Sequence, residues 1–145
     1  MTVVVDASVA CKWFVEEAGA AEADGLLVSG RNLVAPDLVI PEVCNALWRK
    51  SEAGEMGDAQ ATVAVDELPR FFDDLVPAVG LAARAFAIAK ALRHPVYDCL
   101  YVALAERLGA HMVTADAKLI ERLFRTDWSR FVVDLRNADA VLGQG

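Results

Sequence analysis

The sequence predicts an α/β domain built on a mainly parallel sheet of four or five strands flanked by helices, and three observations carry that prediction. Short apolar runs of strand length recur along the chain: Val3–Val5, Leu33–Ala35, Leu75–Val76, His111–Thr114 and Phe131–Val133. Helical patterns lie between them, and no two runs are joined by a hairpin turn. At 145 residues the chain is long enough to bury one substantial core without a metal or disulfide staple.

The elements follow in order. Val3–Val5 is a continuous β-branched run, as expected of a central strand buried on both faces, and it stops at Asp6. Ala7 to Glu17 reads as a helix with Val9, Trp13 and Phe14 inward, and Glu22 to Ser29 as a second, closed by Gly30. After Leu33–Ala35 and Pro36-Asp37, a helix runs to about Ala53, with Pro41 tolerated in its first turns. On it Glu42, Asn45 and Arg49 share a polar face, while Val43, Cys44, Leu47 and Trp48 lie toward the other side. Asp58 is placed to cap the next helix, which ends before Pro69. Leu81, Ala85, Ile88 and Leu92 mark one packed face of a further helix.

The stretch from Tyr97 to Asp116 organises the rest. Nine of the twelve residues from Tyr97 to Leu108 are apolar, so this helix is predicted to be buried on nearly all faces. Glu106 and Arg107 fall in its last turn, near solvent, but Asp98 leads it, just after His94-Pro95. Gly109 breaks the helix, His111–Thr114 is a strand, and Asp116 follows at its carboxyl end. Lys118 to Phe124 reads as a short helix before the last strand. The patterned region, 1–136, forms one domain, and 137–145 reads as a short, weakly patterned C-terminal tail.

Charge and cysteine usage bound the function. The net charge of −7 is uneven: residues 1–75 carry 14 Asp/Glu against 5 Lys/Arg, and residues 76–145 carry 7 against 9. An acidic total argues against gripping nucleic acid over a broad basic face, but not against a transient nucleic-acid substrate. Arg84, Lys90, Arg93, Arg107, Lys118, Arg122, Arg125 and Arg130 form either a local basic rim or solvated helix faces. Cys11, Cys44 and Cys99 show no CxxC pairing and fit reduced, buried thiols in a cytoplasmic protein. The start MTVVVD lacks a basic leader, and no apolar run is long enough to span a bilayer, so no membrane association is expected.

Two acids, Asp6 and Asp116, end strands, and two more, Glu42 and Asp98, sit near helix starts. Each alone is explained by helix capping or the helix dipole. A parallel sheet, however, brings strand ends and the starts of the following helices to one rim. Two carboxylates ~4 Å apart repel by about 4 kcal/mol at an effective dielectric of about 20, so a shared pocket needs protons or a cation. Carboxylate and water ligands suit Mg²⁺ or Mn²⁺, whereas His94 and His111 do not offer zinc spacing. An ion held there can activate water and offset charge on a phosphodiester under attack.

Asp6-Ala7-Ser8, Pro41-Glu42 with Asn45-Ala46-Leu47, Tyr97-Asp98 with Tyr101–Ala105, and Thr114-Ala115-Asp116 resemble, in order and spacing, the four motif blocks of PIN-domain ribonucleases. The nearest likeness is to the toxins of VapBC toxin–antitoxin pairs, over roughly residues 3 to 135. The resemblance implies a Mg²⁺- or Mn²⁺-dependent endoribonuclease, a homodimer, silenced by a cognate antitoxin protein laid across its site. It implies Asp6, Glu42, Asp98 and Asp116 as the catalytic quartet. Asp6, Asp98 and Asp116 are its metal-binding members, with Asp6 and Asp98 as direct ligands. Glu42 and Asp116 act through water, complete a second metal site or orient the nucleophile. Ser8, Asn45 and Thr114 become supporting hydrogen-bond partners. The family often carries a further acid after the fourth, where Ala117, Lys118 and Leu119 stand here. In-line attack by water is expected to leave a 5′-phosphate and a 3′-hydroxyl.

Other classes fit less well. A dehalogenase-like phosphatase needs a second Asp where Ser8 stands, and a receiver domain needs an acidic pair within Val3–Val5. A metal-free mechanism has only His94 and His111 to draw on and would give 2′,3′-cyclic phosphate ends. The alternative from a different class is a non-catalytic acidic α/β partner domain that acts in complex assembly or repression.

Overall fold

A computed structural model of the chain describes residues 1–143. Strands β1 (Thr2–Val5), β2 (Asn32–Pro36), β3 (Asp74–Val76), β4 (His111–Thr114) and β5 (Val132–Asp134) form one sheet in the order β3-β2-β1-β4-β5. Every neighbouring pair is parallel. Val3 lies opposite Leu33 on one side and His111 on the other, which makes β1 central. Val3, Val4 and Val5 are accordingly wholly buried. From β1 the chain builds outward to β2 and β3, then crosses back to β4 and β5. The strand order therefore reverses between β1 and β4, and such a reversal opens a crevice at the strands' carboxyl ends.

The helices are α1 (Ala7–Ala10), α2 (Ala20–Leu27), α3 (Val39–Glu52), α4 (Asp58–Glu67), α5 (Ala82–Leu92), α6 (Val96–Leu108), α7 (Ala117–Leu123) and α8 (Ala138–Leu142). As its composition predicts, α6 is buried without a break from Cys99 to Ala105, packed on α5 and across β1, β2 and β4. Pro95 stands at its N-cap, and Gly109, at φ 61°, ends it in the left-handed conformation that a residue without Cβ adopts freely. Because α6 feeds the parallel strand β4, it runs against the strands and starts at their carboxyl ends. No helix among the described residues is long and apolar enough to cross a membrane.

Four local expectations are corrected. The helix expected over Ala7–Glu17 stops at Ala10 and tightens into a 3-10 turn at Cys11–Trp13. Consecutive aromatics explain it: Trp13 meets Phe71 edge-on at 5.5 Å while Phe14 stacks on the same ring at 5.2 Å, and a regular helix splays adjacent residues apart. Trp48 is 59% exposed, because the buried stripe of α3 is Val39, Val43 and Leu47 and Trp48 lies one residue past it. Gly57, not Asp58, is the N-cap of α4, and Asp58 instead accepts the Ser51 hydroxyl at 2.6 Å. The weakly patterned stretch after residue 136 contains α8, pinned by buried Ala138 and Leu142 and by the Arg31 guanidinium on the Leu142 carbonyl. Two apolar residues four apart are too short a signal to stand out in sequence. Of the 137–145 segment, Gln144 and Gly145 lie outside the described residues.

Candidate active site

The fold delivers four acids to the crevice edge by four different routes. Asp6 follows β1, with its backbone N–H on the Val113 carbonyl of β4 at 3.1 Å, so it sits at the strand-order reversal itself. Asp116 stands two residues beyond β4. Glu42 and Asp98 lie in the first turns of α3 and α6, both of which start at the strands' carboxyl ends.

Asp6 is held most tightly. It is only 4% exposed, and its Oδ2 accepts the Ser8 hydroxyl at 2.6 Å and the Thr114 hydroxyl at 2.9 Å. Both protons are thereby committed, so the 3.4 Å approach of Ser8 Oγ to Thr114 Oγ1 is a contact and not a third hydrogen bond. The hydroxyls are fixed from behind: the Ala115 N–H donates to Ser8 Oγ and the Asp116 N–H to Thr114 Oγ1, each at 3.0 Å. Burial pushes the Asp6 carboxyl up to about 6; the two hydroxyls pull it down, and the charges of Asp98 and Asp116 push it up further.

Glu42 has a different neighbour. The hydroxyl of Tyr101, a wholly buried residue of α6, donates to Glu42 Oε1 at 2.8 Å. Burial raises Glu42 to about 7, against the Tyr101 hydrogen bond and with added repulsion from Asp6 and Asp98. Burial first, then the negative charges of Asp6 and Glu42, drive the Tyr101 phenol far above its ordinary value, so it stays a donor. Asp98 is turned toward His94, whose Nε2 lies 2.6 Å from its Oδ2 in hydrogen-bond contact. Asp116 caps α7, its Oδ1 accepting the Lys118 and Leu119 amides at 3.0 and 3.2 Å.

Of the three residues expected to support the acids, Ser8 and Thr114 touch Asp6, whereas Asn45 is exposed and makes no side-chain hydrogen bond among the described residues. Asn45 stands three residues beyond Glu42, and the Tyr101 hydroxyl fills the role at Glu42 instead. Two contributors escape a reading of the sequence. Tyr101 lies three residues after Asp98 on a buried helix, and a buried phenol needs a partner, which is the one signal the sequence offers for it. His94 stands four residues before Asp98, the spacing of side chains on one helix face, although it precedes the helix proper.

The donor set is oxygen throughout: four carboxylates, with hydroxyls bonded to two of them, Asp6 and Glu42. That chemistry suits Mg²⁺ or Mn²⁺, and the repulsion that Asp98 and Asp116 exert on Asp6, and Asp6 and Asp98 on Glu42, is what a cation would relieve. Among the described residues, no three His, Cys, Asp or Glu side chains form a group able to hold an ion together. Asp6, Asp98 and Asp116 are therefore not gathered as three direct ligands, and the expectation of Asp6 and Asp98 as direct ligands with Asp116 acting through water stands as a proposal. Such a rim fits an ion that keeps several waters and takes one or two carboxylates directly.

The arrangement defines a class: a parallel α/β domain with an acidic rim at its topological switch point. The sequence profile of the PIN domain matches residues 3–123, and the chain belongs to the PIN-domain family. It is 35% identical over 124 residues to ribonuclease VapC3 of Pyrobaculum aerophilum, covering 84% of this chain and 95% of that one. It is 34% identical over 117 residues to ribonuclease VapC9 of Mycobacterium tuberculosis, covering 81% and 87%. The crystal structure of PAE2754 from Pyrobaculum aerophilum superposes over 100% of this chain and 97% of that one with a TM-score of 0.74 at 24% identity, a likeness of fold. Within the family, the chain is of the VapC type.

Proposed function

We propose that the protein is a divalent-metal-dependent endoribonuclease, acting in the cytoplasm as the toxin of a toxin–antitoxin pair, with Asp6, Glu42, Asp98 and Asp116 as its acidic site. The observation that carries the reading is the electrostatic coupling of acids from four separate chain segments at the switch-point crevice: Asp6 feels Asp98 and Asp116, and Glu42 feels Asp6 and Asp98. The names of the VapC relatives supply the substrate class, RNA, and imply a protein antitoxin. We place the nuclease domain at residues 1–136, with the α8 segment beyond it docked on that domain as a C-terminal extension, and the whole working as a homodimer.

Asp6 and Asp98 would hold Mg²⁺ or Mn²⁺ directly, with Asp116 binding through water. Bound there, the ion supplies positive charge to the phosphoryl oxygens and lowers the pKa of water at the site. The chain's own residues do the rest. Ser8 and Thr114 fix one oxygen of Asp6 and leave the other without a side-chain hydrogen bond among the described residues. Glu42, raised to about 7 by burial and oriented by Tyr101, accepts a proton from attacking water near neutral pH. His94 holds Asp98 in one rotamer.

The test is cleavage of a mixed tRNA, rRNA and mRNA pool by purified, partner-free protein with Mg²⁺ or Mn²⁺, with EDTA and a folded Asp98→Asn variant alongside. Cutting that leaves 5′-phosphate ends and disappears in both controls is the expected result. Cutting that survives EDTA, or 2′,3′-cyclic phosphate ends, would overturn the metal-dependent mechanism.

A further inference from the structure

Beside the acidic rim lies a second feature of opposite charge. Arg93, His94, Lys118, Glu121 and Arg122 line a hollow of about 440 Å³. Its walls come from the α5–α6 junction and from α7, and the Arg122 guanidinium ties them together by donating to the Arg93 carbonyl at 2.9 Å. The hollow adjoins two of the acids: His94 is hydrogen-bonded to Asp98, and the Lys118 backbone N–H is bonded to Asp116.

The charges here are uncommitted. Elsewhere Lys12, Lys50, Arg70, Arg84 and Arg136 are each ion-paired with a carboxylate, while Arg31, Arg49, Lys90, Arg107, Arg125 and Arg130 form no salt bridge among the described residues; what sets this hollow apart is that three such cations line it together. Among the described residues, Arg93, Lys118 and Arg122 form no salt bridge, and Glu121 is the one acid in the lining. Three cations facing one hollow repel one another, and in a chain of net charge −7 nothing requires them to be grouped. An anion removes the repulsion. A polyanion that spans from this hollow to the acidic rim also places one phosphate among cations and its neighbour over the carboxylates.

We infer that this hollow is a phosphate subsite, holding a backbone phosphate of single-stranded RNA next to the one that lies over Asp6 and Asp98. The inference deepens the nuclease reading and rests on it for the second half of that statement. Tyr97, 60% exposed and adjacent to Asp98 at the start of α6, favours RNA over an acidic peptide, because its ring offers a face on which a base stacks.

The experiment measures binding of a labelled mixed-sequence RNA 12-mer in EDTA across a salt series, and separately its cleavage with Mn²⁺. The proteins compared are the wild type, Lys118→Gln, Arg93→Gln/Lys118→Gln, Lys118→Arg, and a control, Lys90→Gln, outside the hollow. Lys118 is exposed and its amide survives substitution, so Lys118→Gln tests the site even if the double variant folds poorly. Removing one cation that neutralises a phosphate should reduce the magnitude of the slope of log K against log salt by about 0.7. That reduction in Lys118→Gln, its restoration in Lys118→Arg, a raised KM with kcat little changed, and an unaltered Lys90→Gln together support the subsite. An unchanged salt slope overturns it even when wild-type protein cleaves, and leaves the nuclease reading standing. A reduced slope in a protein that does not cleave this RNA keeps the subsite as an RNA contact and moves weight from the nuclease to a non-catalytic RNA-binding role. Loss of affinity for a polyglutamate peptide without loss for RNA overturns it in favour of a protein partner.

Discussion

The β1–α1 and β4–α7 corners look alike in sequence, each a short, largely apolar strand followed within two residues by an Asp, yet their carboxylates are held in opposite ways. Asp116 does what an Asp after a strand commonly does, capping α7 through two backbone amides. Asp6 makes no side-chain cap on α1; it is buried and clamped by Ser8 and Thr114. The difference follows from position in the sheet. β1 is central, so whatever follows it is covered by elements on both sides, whereas α7 lies toward the β5 side and leaves its first turn exposed. One carboxylate stabilises a helix, and the other is kept in place at an energetic cost.

The largest break in this comparison should come from charge removal. Asp6→Asn and Asp116→Asn are both expected to lower kcat/KM for RNA cleavage, Asp6→Asn by about a hundredfold or more, the scale of losing one electrostatic contributor at a reacting centre. Their stabilities should diverge from those of truncations. Asp116→Asn keeps a competent cap and should melt near wild type, while Asp116→Ala should lose about 0.5–2 kcal/mol. Thermal melts of the metal-free proteins, run beside the kinetics, decide it: equal melting of Asp116→Asn and Asp116→Ala would show that the cap contributes nothing.

A second effect is set by pH. Asp6 has a folded value of about 6 against an ordinary 3.8, and Glu42 about 7 against 4.5, so between those limits the native chain binds more protons than the unfolded one. Stability of the metal-free protein must therefore fall as pH rises from about 4 to about 7, by an amount on the order of 2–3 kcal/mol from Asp6 at about 1.4 kcal/mol per unit. Asp6→Asn should flatten the profile, and added Mg²⁺ should raise the melting temperature more at pH 8 than at pH 5. A melting temperature that rises over that range in EDTA would mean that burial does not dominate at Asp6.

The same contrast explains what can be read from the sequence. The order of elements is legible because β1 and α6 are buried on all sides and announce it as unbroken apolar runs; the acids stand out for being placed where such runs end. The state of each acid is not legible, since it depends on groups far away in the chain: Thr114 is 108 residues from Asp6, and Tyr101 is 59 from Glu42. Asn45, a polar neighbour on Glu42's own helix, is the natural local candidate, and it faces solvent. The short 3-10 turn at Cys11–Trp13 is hidden for a similar reason, because its aromatic partner, Phe71, comes from a distant part of the chain.

Tyr101 offers the smallest and most discriminating test. Its hydroxyl favours the ionised form of Glu42, against the burial that raises that carboxyl to about 7. Tyr101→Phe keeps the packing and removes only the oxygen, so the cost in stability should be about 0.5–1.5 kcal/mol, that of one hydrogen bond. With its donor gone, Glu42 must rise further, and the acidic limb of the pH–rate profile should move to higher pH with KM unchanged. A Tyr101 that merely fills space predicts a different pattern, stability near wild type because Phe keeps the packing, and an unmoved profile because no titrating group would be deprived of a partner. The direction of that limb thus separates a phenol that tunes the site from one that only packs the core beneath it.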